Sequence, residues 1–245
     1  IWPRTSIGSP DDPAAVTAFA ADCDVITFDH ELVPESVLIA LEASGKRIAP
    51  STNTLRVAQN KQRQRELFAQ HRLPQPRHRI VRTVHGAEQA AEAIEYPVIV
   101  KAAFGGYDGR GVWRCTDEAS LVEVVSGLAE RSIPIVVEAE VRIERELAVM
   151  VARDHVGRTT VLPTVETVQI DGICRQITYR ADCHVPEAVR IAEIVANVVD
   201  LTGVMAVELF ESDGQLLINE IATRPHNSGH YSIEALASSQ FEHHL

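Results

Sequence analysis

Short apolar runs and helical stripes alternate along this chain. Asp24-Val25-Ile26-Thr27-Phe28 reads as a buried strand, Val37 to Ala43 as a short helix stopped by Gly45, and Ile48-Ala49-Pro50 as a further apolar piece. Such βα alternation predicts the tail of a parallel α/β layer. From Asn53 to Ala69 the pattern becomes a helical region rich in Gln, Lys and Arg, closed by Pro74 and Pro76. A second helix is expected from Gly86 to Ile94, with Ala87, Ala90, Ala91 and Ile94 on one face. Pro97-Val98-Ile99-Val100-Lys101 is then a strand. Thr116 stands where an N-cap belongs, ahead of a stripe of Leu121, Val124, Val125 and Leu128. Ile135 to Glu138, Glu146 to Ala152 and Thr159 to Val165 continue a β-rich layer. Glu187 to Leu201 is a long amphipathic helix with Ala188, Ile191, Val195, Val198 and Val199 inward, ended near Gly203. A final hairpin and a polar loop, Ala222 to Ser232, follow, and no internal repeat is visible.

Composition narrows the function classes. With 245 residues, 45% of them hydrophobic, the chain can bury a substantial core. A formal net charge of -11 argues against nucleic acid binding over the whole surface, which wants a basic field. Cys23, Cys115, Cys174 and Cys183 show no zinc spacing and read as reduced thiols of a cytoplasmic protein. No apolar run approaches bilayer length, so no membrane partner is expected. Ile1-Trp2-Pro3 carries no initiator methionine, and the sequence stops directly after a helix-forming stretch. The expectation is a fragment lacking both termini of a longer chain.

Chemistry concentrates in four places. Lys101 ends a strand and runs into Gly105-Gly106-Tyr107-Asp108-Gly109-Arg110-Gly111-Val112. A lysine at a strand end is commonly a solvated terminus, but a glycine-rich loop after it can fold its N–H groups over phosphate oxygens. It is not a P-loop, because no Gly-Lys-Ser/Thr follows. Glu138, Ala139, Glu140, Val141 and Glu146 offer either a solvated ion-pair cluster with Arg142 and Arg145 or an adenosine site. In that second reading Glu138 and the adjacent backbone meet an adenine edge and Glu146 accepts from ribose hydroxyls. Arg224-Pro225-His226-Asn227-Ser228-Gly229-His230-Tyr231 is dense in donors, and Arg224 could grip an anion bidentately. His226 and His230 lack a convincing zinc partner set.

Glu208 and Glu220 flank a turn at Asp213-Gly214 and lie in otherwise apolar strands. Mg²⁺ needs only a carboxylate or two beside phosphates and water. The turn sets the geometry. A strict two-residue turn pairs Ser212 with Gln215, opposes Glu208 to Asn219 and sends Glu220 to the other face. One extra residue, as a three-residue loop or a bulge at Gly214, pairs Glu208 with Glu220. Burying two unpaired carboxylates is costly, which favours the second register with a cation between them.

Taken together, Lys101 through Gly111, Glu208, Asn219-Glu220-Ile221-Ala222 and Arg224 through Tyr231 resemble the ATP-grasp family of 5-(carboxyamino)imidazole ribonucleotide synthases. Thr27-Phe28-Asp29-His30-Glu31, Val33-Pro34 and Ser239-Gln240-Phe241-Glu242 extend the likeness over nearly the whole chain. The resemblance implies an α/β protein: an ATP-grasp fold of two α+β lobes clamping nucleotide, preceded by part of a parallel pre-ATP-grasp domain. Residues 1–52 would be that partial domain and 53–245 the ATP-grasp domain, with a small clamp lobe at about 96–140 and a metal and substrate lobe at about 141–245.

The implied cofactors are ATP and Mg²⁺, or Mn²⁺ in its place. Lys61 and Lys101 would contact phosphates under a closing loop of Gly106 through Val112. Glu138, Ala139, Glu140, Val141, Glu146 and Gln169 would surround adenosine, and Asn219 would support the metal–phosphate geometry at Glu208 and Glu220. Lys101, Tyr107, Arg110 and Arg224 would act on the reacting groups. Glu31, Tyr107, Arg110, Arg224, His226, Asn227 and Ser228 would face the partners, aminoimidazole ribonucleotide and bicarbonate. Leu32 and Gln169 depart from the residues usual in the family. Family members also carry an N-terminal βαβ segment and a small C-terminal domain, and the whole enzyme would be a homodimer. Two readings compete: another ATP-grasp ligase or carboxylase with a different acceptor, and a truncated nucleotide-binding or structural module without turnover.

Overall fold

The computed structural model describes residues 5–105, 110–170, 172–180 and 183–244. The N-terminal unit holds α1 (Pro13–Ala20), β1 (Val25–Ile26), α2 (Glu35–Ala43) and β2 (Arg47–Ile48). β1 and β2 pair in parallel as a separate two-stranded sheet, under which Ala20, Ile26, Val37 and Leu41 form a small core. The βα alternation of the sequence is present here. The α1 helix was not anticipated; Pro at its first turn and the Asp12 side chain accepting from the Ala14 N–H define its start.

The helical region expected over 53–69 is two helices, α3 (Thr52–Ala58) and α4 (Lys61–Gln70). The break lies at Asn60, which is extended and whose side-chain oxygen accepts from the Arg63 N–H, so a new helix starts there. The Lys61 N–H donates to the Ala103 carbonyl at 3.0 Å, tying the head of α4 to the sheet that follows.

That four-stranded sheet has the order β3 (His78–Val81), β6 (Ile135–Ala139), β4 (Val98–Ala102), β5 (Val112–Cys115), all antiparallel. It takes in β3, N-terminal to the 96–140 span. Its outer face is covered by α5 (Val84–Ile94) and α6 (Glu118–Glu130), which bury Ala87, Ala91, Leu121, Val125 and Leu128 against Val98, Val100 and Val137. The cap of α6 is Asp117 rather than Thr116. Its carboxylate accepts from the Ser120 N–H while Ser120 reaches back to the Asp117 N–H.

The six-stranded sheet follows the order β10 (Ile173–Thr178), β9 (Val165–Ile170), β7 (Arg145–Arg153), β11 (Gly203–Ser212), β12 (Gln215–Ala222), with β8 (Thr159–Val161) paired to β7. The β9–β10 hairpin was not legible in the sequence pattern. α7 (Pro186–Val198) packs Ala188, Ile191, Ala192, Val195 and Ala196 onto one face of this sheet, with Phe68 of α4 and Leu147, Val149, Met205, Val207 and Leu209. Val198, expected inward, is only half-buried. Because strands alternate faces, Glu146, Glu208 and Phe210 point the other way. A short 3₁₀ turn at Asn227–Gly229, then α8 (Ser232–Ala235) and α9 (Gln240–His244), close the described chain.

Phe68 is fully buried between α4 and the large sheet. Phe68→Ala should lower unfolding free energy by about 3–5 kcal/mol, the usual cost of an aromatic cavity. Urea denaturation measures it.

Candidate functional site

The hairpin of β11 and β12 shows how the sequence sets the site. Ser212 pairs with Gln215, so the turn is the strict two-residue form, with Asp213 and Gly214 both at positive φ (48° and 72°). Glu208 nevertheless stands opposite Glu220. The extra residue is not at Gly214, as expected, but at Asn219: Leu209 pairs with Ile218 and Glu208 with Glu220. The physical reason is the core. Leu216 and Ile218 join the apolar cluster that holds Phe68 and Leu73, and a bulge at the next position brings Ile221 to that same apolar face. Burial of an isoleucine favours this by about 1.5–3 kcal/mol. Glu220 is thereby turned to the Glu208 side.

The small sheet supplies the facing wall. Lys101 on β4 lies one diagonal from Glu138 on β6, which is in register with Ile99. Lys101 Nζ is 2.9 Å from Glu138 Oε2 and donates to Asn219 Oδ1 at 3.0 Å. Burial pushes the Lys101 ammonium below its ordinary range, opposed by the Glu138 charge. Arg65 Nε donates to Glu138 Oε1 at 2.5 Å. Burial alone would raise the Glu138 carboxyl; Arg65 and then Lys101 outweigh it and hold it at about 2. The Glu138 carboxylate, expected at an adenine edge, is thus committed to two cations.

The Asn219 amide joins the two walls, accepting from Lys101 and donating through Nδ2 to Glu208 Oε2 at 3.4 Å. Lys61 pairs with Glu220. Burial raises the Glu220 carboxyl, yet the paired Lys61 ammonium overrides it and holds Glu220 well below its ordinary range. Glu208 has no directly paired ammonium among the described residues. Burial, with the facing Glu220 charge second, pushes it well above its ordinary range. His226 Nε2 is 3.5 Å from Glu208 Oε1, but burial and then Arg224 hold that imidazole at about 4, so it brings no charge at neutral pH. Lys61 balances Glu220, so ionisation of Glu208 beside that pair would leave one uncompensated negative charge facing the cleft. That donor set fits a hard divalent cation whose remaining ligands are phosphate oxygens and water. Among the described residues no group of three or more His, Cys, Asp or Glu side chains is placed to hold a metal.

These groups line one cavity of about 440 Å³ between the two sheets. Lys61, Lys101, Arg110, Val112 and Glu138 through Val141 lie on it, as do Glu146, Gln169, Glu208, Asn219 and Glu220. Glu31, Arg224, His226 and Asn227 close its other end. Two expected residues do not line it. Gly111 lies at the foot of β5, its carbonyl accepting from the Ala102 N–H at 2.9 Å. Ser228 is buried beneath, its hydroxyl against His226 Nδ1 at 2.9 Å and Met150 Sδ at 3.8 Å. Gly106, Tyr107, Asp108 and Gly109 lie outside the described residues.

Sequence reasoning missed the apolar part of the cavity. Pro76, Ile99, Ile143 and Phe210 face it beside Val112 and Val141, a slot suited to a flat aromatic ring. Burial pushes the Glu146 carboxyl up at this end. Glu211 pairs with Arg145 at 2.5 Å. At the far end Glu31 reaches in from the N-terminal unit, accepting from the Thr223 N–H at 2.5 Å and standing 3.4 Å from Arg224 Nε. Gln240, also missed, is fully buried. It accepts from the His226 N–H at 2.8 Å and donates to the His226 carbonyl at 3.0 Å, fixing the loop that carries His226 and Asn227.

Two sheets facing each other across a cleft, one with a buried lysine and the other with opposed carboxylates, define a nucleotide-clamping α/β architecture. The chain belongs to the ATP-grasp family: the ATP-grasp domain matches residues 66–241, and the ribonucleotide synthetase preATP-grasp domain matches residues 3–59. Its sequence is 40% identical over 250 residues to an N5-carboxyaminoimidazole ribonucleotide synthase of Mycobacterium bovis, covering 100% of this chain and 58% of that protein. The corresponding protein of Synechococcus elongatus is 36% identical over 247 residues, covering 99% and 62%. The chain therefore spans about three-fifths of the length of these relatives.

Among solved structures, the N5-carboxyaminoimidazole synthetase of Staphylococcus aureus complexed with ADP superimposes with a TM-score of 0.86 at 30% identity, covering 97% of this chain and 63% of that one. The Aspergillus clavatus N5-carboxyaminoimidazole synthase in complex with ADP and 5-aminoimidazole ribonucleotide gives 0.85 at 33%, covering 97% and 62%.

Glu138 has its ordinary value of 4.5 lowered in the fold, so the stability it contributes is present above pH 4.5 and is lost as pH falls towards 2. Glu138→Gln should abolish that part of the acid dependence. It should also cost about 3–5 kcal/mol at neutral pH, because Arg65 and Lys101 lose their shared counter-charge. Thermal melts from pH 2 to 7 report both.

Proposed function

We propose that this chain is the nucleotide-binding part of an ATP-dependent carboxylase that joins bicarbonate to the exocyclic amine of 5-aminoimidazole ribonucleotide. The observation that carries the reading is one cavity holding Lys61, Lys101, the opposed Glu208 and Glu220, and Arg224 with His226 and Asn227. The names of the relatives and the ligands in their solved structures support the substrate. In this reading residues 1–52 are a partial pre-ATP-grasp unit that contributes Glu31. Residues 53–245 are the ATP-grasp unit, with 96–140 as clamp and 141–245 as metal and substrate lobe. The whole enzyme is a cytoplasmic homodimer. Among the described residues no helix is long and apolar enough to cross a membrane, and the cysteines are free thiols.

Each group has a task that follows from its environment. The adenine lies in the apolar slot against Ile99, Val112 and Phe210, with the backbone of Ala139 to Val141 at its edge and Gln169 nearby. Glu146 meets the ribose hydroxyls. Lys101 and Lys61 lie on the phosphates, with Arg110 beside them. Glu208 and Glu220 would hold Mg²⁺, which when bound screens the phosphate charge during transfer. Arg224, set by Glu31, takes the bicarbonate or the ribonucleotide, with His226 and Asn227 beside it.

In the chemical step a bicarbonate oxygen attacks the γ-phosphorus as the bond to ADP breaks, giving carboxyphosphate. The amine nitrogen then attacks the carboxyl carbon of carboxyphosphate, or of CO₂ released from it. Phosphate leaves, and the amine proton passes to it or to solvent. Positioning and fixed charge lower the barrier, so no protein nucleophile is required. The buried lysines are well suited to this, since they face the transferring charge with little water between.

ADP release with bicarbonate and a panel of amine acceptors tests the assignment. Turnover dependent on both bicarbonate and 5-aminoimidazole ribonucleotide is the expected result. Turnover with a different amine or carboxylate acceptor replaces the substrate, and nucleotide binding without turnover in a chain extended to its relatives' length refutes the enzyme. Lys101→Met should lower kcat by roughly 10²–10³-fold, the usual loss of one preorganised charge. Glu208→Gln and Glu220→Gln should each largely abolish phosphoryl transfer while the melting temperature holds; a rate unchanged in Glu220→Gln sinks the cation site.

A further inference from the structure

Lys61, Gln64 and Arg65 occupy one face of α4, at the three- and four-residue spacing that brings helical side chains together. That face lies against the bulge of β12. Arg65 Nη1 and Nη2 donate to the carbonyls of Ile218 and Asn219 at 3.2 and 2.8 Å, and Gln64 Oε1 accepts from the Ile221 N–H at 3.3 Å. These backbone groups belong to the extra residue, Asn219, and to residues on either side of it. β12 is the edge strand of its sheet, so the groups it turns away from β11 have no strand partner, and buried orphans are costly. The helix supplies the partners that the strand cannot.

Arg65 does more than satisfy the bulge. Its Nε holds Glu138, and Glu138 holds Lys101 Nζ. The guanidinium is 2% exposed and does not line the cavity. Its planar fork is divided between a carboxylate of the small sheet and two carbonyls of the large one. An ordinary buried ion pair needs no contact with the carbonyls. A single cation that sets both the lysine and the carboxylate pair does.

We propose that Arg65 is a positioning residue that locks the Asn219 bulge and so keeps Glu220 opposite Glu208, while it fixes Lys101 through Glu138. The proposal rests on the reading of Glu208 and Glu220 as ligands of a divalent cation. Because the bulge chooses which face Glu220 occupies, loss of Arg65 should loosen the cation site without a change in either ligand.

Mn²⁺ binding in the presence of ADP, followed by electron paramagnetic resonance, tests it alongside amide exchange at residues 218–221. Arg65→Met should weaken Mn²⁺ affinity by about 10–100-fold, the range seen when a group that orients ligands is removed. The Ile221 amide should exchange faster. Arg65→Lys keeps a cation beside Glu138 and should recover most of the affinity. In Arg65→Met/Glu138→Met the Arg65–Glu138 pair is replaced by apolar groups, and Lys101, left buried without a carboxylate, can shed its proton rather than stay charged, so folding is protected, and Mn²⁺ binding should remain weak. A folded double variant with wild-type Mn²⁺ affinity and unchanged exchange overturns the role of Arg65. A wild-type chain that binds ADP but no Mn²⁺ overturns the cation reading itself.

Discussion

The site depends on a cluster of like and unlike charges buried between two sheets. Lys101, Glu138 and Arg65 are all almost inaccessible, and no one of them could be buried alone without severe cost. Each is tolerable because the next lies within hydrogen-bond reach. Such a cluster adds little net stability, since its attraction mainly offsets the desolvation of its members. What it provides is orientation: Lys101 cannot turn away from the cleft without leaving Glu138 overcharged, and Glu138 cannot turn without stranding Arg65. A lysine held in this way faces incoming phosphate charge without further reorganisation.

On the opposite wall the order is reversed. Glu208 and Glu220 are placed by backbone register rather than by charge, and the fold balances only Glu220, through Lys61. The apolar face of the hairpin selects the register because Leu216, Ile218 and Ile221 join the large core with Phe68 and Leu73. The two carboxylates are carried along by that choice. A hydrophobic requirement on one face of the sheet thus brings two carboxylates together on the other, at a place where a bound cation would relieve their repulsion. Asn219, the residue the bulge releases, uses its amide to join this wall to Lys101. The N-terminal unit adds to the same cleft through one side chain, Glu31, which is held by the Thr223 N–H and sets Arg224.

Much of this was legible in the sequence, and for physical reasons that can be named. Lys101 with its glycine-rich loop, the acidic residues of the last hairpin and the Arg224 to Tyr231 run are local signals. They stand out because charged and flexible residues are costly in apolar strands. The strand and helix periods gave β4, β6, β7, β8 and the last hairpin, with α2, α5, α6 and α7, to within a few residues, and missed β3, β5, β9 and β10. Where local signals conflicted, single-residue chemistry decided: Asn60 caps a new helix in the middle of a continuous polar pattern, and Asp117 outcompetes Thr116 because Ser120 completes the box. The bulge had a sequence signal too, in the break from two-residue spacing between Ile218 and Ile221, but Asp-Gly drew attention to the turn instead.

The sequence by itself determined the chemical inventory and its order: which segments are strands, where glycines permit a close backbone, and which charged residues interrupt apolar runs. These are properties of neighbours along the chain, fixed by backbone geometry and local burial. Only the tertiary structure decided which of those charges meet. Arg65 lies 73 residues from Glu138 and 153 from Ile218 along the chain. Nothing near it in sequence distinguishes it from the other cations of α4. Its significance arises from the docking of a helix face onto a strand irregularity. Glu138 likewise reads as a candidate for adenine until the fold surrounds it with two cations. Long-range electrostatic pairing is set by packing, and packing is where several local patterns must be satisfied at once.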